Sequence, residues 1–166
     1  MSLEARVYVL RVISPVVAPV LPWCTVERLK SELPYDQETL EHIDRVFERT
    51  VNPLTGQKCV WVKGYAIRSA LKEALGVKGK PVRGLRIIGA YFPLDAVSVE
   101  VSHVTQASGR GTPVLYEVIK AGATGTVIAI DSVEDFLTQH GARLPFTFQL
   151  GAWKSKGFGL VVLDKA

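Results

Sequence analysis

Three prolines cut the longest apolar stretch near the N-terminus, and they decide much of what the chain can become. Val12 to Cys24 is interrupted by Ser14, Pro15, Pro19 and Pro22. A bilayer span needs about 20 continuous apolar residues, so this stretch is too short and too broken to be one. It also lacks the small-residue cleavage site of a secretory signal. Proline cannot donate to a central ladder, so the stretch is expected as irregular or edge structure. The core must come from short elements elsewhere, and composition supplies them. The chain has 166 residues, 48% apolar and 22% charged. Mean hydropathy is +0.19. A chain of this size buries roughly 70% of its unfolded surface and needs no disulfide or metal. Disordered, collagen-like and coiled-coil chains are excluded. Cys24 and Cys59 form no metal or redox motif and read as reduced thiols of a cytoplasmic protein.

Ala5 to Val12 alternates as a strand, with Val7 and Val9 facing one way and Tyr8 and Leu10 the other. Thr25 is a candidate cap for a helix that Pro34 stops. Asp36 caps a stronger one, because Leu40, Ile43, Val46 and Phe47 recur at helical spacing through about Thr50. After a short apolar run at Lys58 to Val62, Tyr65 to Leu75 reads as a helix closed by Gly76. Leu85–Phe92, Val97–Val104, Val114–Ile119 and Thr124–Ile130 read as strands. Ser132 caps a short helix, and two strands, Leu144–Leu150 and Phe158–Leu163, end the series. Helices scattered among antiparallel strands fit an α+β sandwich of the split-βαβ, ferredoxin-like kind. No internal repeat and no dividing linker is present, so residues 1–166 are expected as one domain.

Charge is uneven. Residues 27–50 carry seven acidic and four basic side chains, whereas 63–86 carry seven basic and only Glu73 acidic. Residues 87–140 are acidic again and 141–166 basic. Basic clusters suit a polyanion, though a solvated surface has the same composition.

The sharpest local pattern is Gly151-Ala-Trp-Lys-Ser-Lys-Gly157-Phe-Gly159. Its glycines permit close backbone approach, and exposed amides with Lys154 and Lys156 would suit phosphate oxygens. Trp153 and Phe158 either stack on bases or face the core of an ordinary turn. Lys63, Arg68 and Lys72 form a second basic set, the latter two four apart on one helix face. His103 and Arg110 flank a polar Gly/Ser loop, a third candidate. Catalytic patterns are poor. His42, His103 and His140 are scattered, and no zinc spacing, serine elbow or dinucleotide fingerprint occurs. No metal or cofactor is expected.

Three segments, taken in order, resemble the RAMP superfamily of CRISPR-associated RNA-binding proteins. The Gly151–Gly159 stretch looks like that family's glycine-rich loop. Gly64 to Leu75 looks like its glycine-started basic helix. Val101 to Ile130, with Tyr116-Glu117-Val118 and Ala121-Gly122, is similar to the central region of its backbone subunits. The resemblance implies an RRM-like ferredoxin core with an inserted β-region. It implies binding of single-stranded guide RNA within a ribonucleoprotein of antiviral defence. By position, Gly64, Arg68, Lys72, Gly151, Lys154, Lys156, Gly157 and Gly159 would lie near RNA, and His103 and Arg110 in the protruding β-region. Other CRISPR effector subunits, and further copies of the chain, would be partners; no membrane would be.

The chain departs from the pattern in three places. Lys63-Gly64-Tyr65-Ala66 stands where the family has proline-glycine-serine-serine. The chain is short for a guide-processing endonuclease. No aspartate follows the first strand, where target-cutting members carry one. The balance is against catalysis. One rival is a metal-independent endoribonuclease using His103 with Tyr116 or a lysine. Another is a subunit that binds only protein, through apolar edge strands and the acidic helix at 36–50.

Overall fold

The computed structural model describes residues 5–77, 85–105 and 111–166, with side chains at 23, 24, 26, 102–105 and 111–113 left out. Strand β1 (Arg6–Val12) keeps the alternation its sequence dictates: Tyr8, Leu10 and Val12 are buried, and Arg6, Val7 and Arg11 are exposed. The chain then runs through β2 (Val16–Val17), helices α1 (Trp23–Lys30) and α2 (Gln37–His42), and strands β3 (Ile43–Arg45), β4 (Glu48–Val51) and β5 (Lys58–Lys63). Helix α3 (Gly64–Leu75) leads to β6 (Ile87–Pro93), and β7 (Val97–Thr105) and β8 (Gly111–Ile119) follow. Strand β9 (Thr124–Ala129), α4 (Val133–Gln139), β10 (Phe146–Gln149) and β11 (Leu160–Lys165) complete the described elements.

The main sheet has the order β10-β11-β1-β9-β6-β5-β4 with every neighbour antiparallel. Its centre is the ferredoxin-like arrangement. β1 and β6 run parallel with β9 between them, and α3 lies in their crossover. β9 and β11 run parallel with β1 between them, and α4 lies in theirs. Both helices cover one face of the sheet. Ile67, Ala70 and Leu71 of α3 and Val133, Phe136 and Leu137 of α4 bury against Leu10, Val60, Phe92 and Val127. A fully buried leucine such as Leu71 is worth roughly 2–5 kcal/mol against truncation to alanine. Among the described residues no helix is long and apolar enough to cross a membrane.

Local chemistry fixes the element ends. Thr39 N–H donates to Asp36 Oδ1 at 2.8 Å, and Asp135 N–H donates to Ser132 Oγ at 3.2 Å. Gly76 closes α3 in the left-handed region, its N–H on the carbonyls of Glu73 and Lys72. The helix expected from Asp36 to Thr50 stops instead at His42. Ile43 and Arg45 pair in parallel with β8, and Glu48–Val51 pairs with β5. Ladder partners, one far along the chain on β8 and one on the adjoining β5, outweigh a helical spacing. Ile43 and Val46 still bury, against Leu29 and Leu33, while Phe47 joins the main core. Helix α1 starts at Trp23 after Pro22, without the Thr25 cap.

The β-region between β6 and β9 is a long hairpin. β7 and β8 pair over nine registers, from Val97↔Ile119 to Thr105↔Gly111. The other edge of β8 takes β2 and β3, making a second sheet. A buried carboxylate ties the two sheets together. Glu117 on β8 is fully buried. It accepts from the Phe47 amide at 2.8 Å and from both Arg49 terminal nitrogens at 2.7 and 2.6 Å. The Tyr35 hydroxyl donates to its other face. Burial, then the Glu117 carboxylate, pushes the Tyr35 phenol far above its usual range.

Candidate nucleic-acid interface

The glycine-rich loop packs closely against β2. Gly151 has φ +89°, and a Cβ there would lie 2.7 Å from the Val17 carbonyl. The Ala152 N–H donates to that carbonyl at 3.2 Å. Gly159, at φ +86°, has no room for a side chain, since a Cβ would fall 1.9 Å from the Leu150 carbonyl. Its N–H donates to Pro15 O and its carbonyl accepts from Leu150 N–H, both at 2.8 Å. Lys156 and Gly157 amides close the short turn Lys154–Lys156. These four amides are therefore engaged within the protein, and anion contacts in the loop fall mainly to side chains.

Trp153 is the one non-glycine residue with positive φ among the described residues, at 58°. Tertiary packing holds this unfavourable backbone. Its indole meets the Tyr116 ring edge-on at 4.7 Å between centroids and lies 6.1 Å from Phe158. Both aromatics thus pack against Val17, Tyr116 and Val118. Of the two alternatives open in the sequence, this is the inward-facing one. Two cations border the same ring: Arg45 Cζ at 4.9 Å and Lys156 Nζ at 5.2 Å from its centroid. Neither is in an ion pair among the described residues. The helix expected at 36–50 would leave Arg45 on a solvated face. Its strand placement on β3 is what aims it at the loop.

The loop and α3 are neighbours. Lys154 Nζ pairs with Glu73 Oε2 at 2.9 Å, across 81 residues. Leu150 and Gly151 share a cavity with Tyr65 and Ala66 of the first α3 turn. Gly64 lets that turn sit under β6, because a Cβ would be 1.7 Å from the Ile87 carbonyl. Lys63 precedes the helix, paired with Glu48 at 3.2 Å. Its ammonium lies 5.7 Å from the Trp61 ring centre and 6.0 Å from that of Tyr65. Arg68 and Lys72 are half-buried on the same helix. The structure thus joins the loop to α3 through the Lys154–Glu73 pair, with Lys63 on the cavity the two elements share.

Arg110 and the basic residues Lys78, Lys80 and Arg83 lie outside the described residues, as does the side chain of His103. The His103 backbone pairs with Pro113, whereas Tyr116 pairs with Glu100. Tyr116 is only 6% exposed. Burial first, and Glu100 second, raise its phenol above the usual range. A phenol sealed beneath Trp153 is badly placed to exchange protons with a substrate.

Helices α3 and α4 on one face of an antiparallel sheet, with a hairpin inserted before the third core strand, define a ferredoxin-like α+β protein. No protein-family model matches the chain, and no curated protein does. Among solved structures, it matches a chain in the cryo-EM structure of the Type III-B Cmr-beta bound to cognate target RNA, with a TM-score of 0.60 at 15% identity. The match covers 98% of this chain and 60% of that one, so the present chain spans little more than half the length of its structural neighbour. At that identity the likeness is one of fold.

Proposed function

We propose that this chain binds single-stranded RNA, without cutting it, as a subunit of a cytoplasmic CRISPR ribonucleoprotein. Guide RNA is the substrate class, and other effector subunits are its partners. One observation carries the reading: the Gly151–Gly159 loop is docked on α3, so that two basic segments far apart in sequence border one junction. Cations gathered on one face are what a sugar–phosphate backbone requires. The fold shared with a chain of an RNA-bound Cmr complex supports the same reading.

Titration against labelled single-stranded RNA in EDTA, at several salt concentrations, tests it. Affinity should fall with salt at a slope of about −0.7 per phosphate neutralised, with the RNA intact on a denaturing gel. Lys154→Ala with Lys156→Ala should weaken binding about equally for all sequences. Lys156 should account for most of the loss, because Glu73 already offsets Lys154. Binding unchanged in the double variant removes the loop from the interface. Cleavage in EDTA would replace this reading with the endoribonuclease.

A further inference from the structure

Strand β7 has a partner on one side only. It pairs with β8 without a bulge, from Val97↔Ile119 to Thr105↔Gly111, and among the described residues no strand lies along its other edge. One hydrogen bond fixes which groups face that edge. Lys120 N–H donates to Ala96 O at 2.9 Å, so these two residues form a hydrogen-bonded pair one register before Val97↔Ile119. Such pairs alternate along an antiparallel ladder. Ser98, Glu100, Ser102 and Val104 therefore turn their backbone groups to β8, and Val97, Val99, Val101, His103 and Thr105 turn theirs outward. The far side of β8 agrees, since the carbonyl of Glu117, opposite Val99, accepts there from Ala18 N–H at 3.0 Å. Open edges are ordinarily guarded by lysine, proline, a bulge or shortness. The nine residues of this one, Val-Ser-Val-Glu-Val-Ser-His-Val-Thr, have none of these guards. Val97 packs on the main core and Val99 on the cluster around Leu29 and Ile43, whereas Val101, next in the same row, is 53% exposed.

We propose that β7 pairs antiparallel with β7 of a second copy, about a two-fold axis at Val101, so that two β7–β8 hairpins form one continuous sheet. The strand is complementary to itself. Centred on Val101, the whole strand pairs, Val97 with Thr105 and Val99 with His103, and every outward-facing residue meets another. The exposed valine falls opposite its own copy, where each shields the other from water. Glu100, the only carboxylate of the strand, falls opposite Ser102. Centring one residue to either side shortens the ladder, and at Glu100 it would set two carboxylates face to face, which destabilises a strand pair. The inference goes beyond the RNA reading and does not depend on it.

Sedimentation equilibrium of the full chain, from about 1 to about 300 µM, should show monomer and dimer exchanging by mass action. Val101→Lys places a guarding charge at the axis, twice per dimer, and should weaken association at least about tenfold while the circular dichroism spectrum is unchanged. The register is tested by oxidation in a Cys24→Ser, Cys59→Ala background. Val101→Cys should cross-link to its copy, because hydrogen-bonded partners stand about 5.5 Å apart at Cα, within disulfide reach. Glu100→Cys should not, because its copy lies diagonally across, about 8 Å away. A dimer that Val101→Lys leaves intact, or one in which Glu100→Cys cross-links as readily as Val101→Cys, overturns the proposal. A wild type that stays monomeric throughout leaves the edge to a strand of a different protein and overturns it too.

Discussion

Arg49→Met should strand the Glu117 carboxylate in the interior. Glu117 is fully buried, and the Arg49 side chain is 7% exposed, so water cannot replace the lost partner. Two of the hydrogen bonds to the carboxylate, at 2.7 and 2.6 Å, come from Arg49, which among the described residues brings its only buried counter-charge. Breaking a buried pair from one side costs about 3–5 kcal/mol. The stranded group can escape that cost by taking a proton, so the deficit should shrink as pH falls. Arg49→Met combined with Glu117→Gln removes both charges, keeps an acceptor oxygen for the Phe47 amide, and lets the new amide N–H donate to the Tyr35 hydroxyl oxygen. That double variant should recover most of the loss, ending within about 1–2 kcal/mol of wild type. Urea unfolding of the four proteins, read by circular dichroism, gives the cycle, provided the slope is unchanged. A loss below about 1 kcal/mol in Arg49→Met, or a double variant no more stable than the single one, would refute the argument.

The glycine-rich loop should separate two kinds of glycine by thermal denaturation. Gly159→Ala, where the new Cβ would collide with the Leu150 carbonyl, should lower Tm sharply. Gly157→Ala, with open space around it but φ +89°, should pay only the left-handed backbone cost of about 1–2 kcal/mol. Asp131→Asn should destabilise at neutral pH and lose its effect in acid. The hydrogen bond from the Arg86 side chain holds the Asp131 carboxyl below its usual range in the folded state. That contribution is therefore present above about pH 4 and vanishes as pH falls through the folded-state value. A Tm difference between the two proteins that stays constant from neutral to acid pH would contradict it.

Local signals were legible in the sequence and long-range ones were not. The alternation of β1, the caps at Asp36 and Ser132, and the stop at Gly76 each depend on a few consecutive residues, and each stands as expected. The α+β, split-βαβ architecture followed from the order of such elements. Residues 43–51 failed because helical spacing and strand pairing both bury Ile43, Val46 and Phe47. Only strand pairing decides between them, with the edge of β8, distant in sequence, for Ile43 and Arg45 and with the adjoining β5 for Glu48–Val51. The same misassignment hid Arg45. In the candidate interface, the glycines and lysines were visible as a pattern, and their proximity to α3 was not. The inward turn of Trp153 needed Tyr116, which lies in another element. Glu117 stood in the sequence as one member of a strand, and nothing local marks it as the buried anchor between sheets.

The position of β1 has a consequence for how the chain is made. It is a central strand, and both its neighbours, β9 and β11, come from the later part of the sequence. On the ribosome β1 emerges before either neighbour and must wait, unpaired, until β9 and β11 have followed. Pairings of this separation form slowly and leave strand edges open to misassembly. The β7–β8 hairpin faces no such delay, since its partners are adjacent in sequence. It can form while the strands destined for the centre of the main sheet are still being translated.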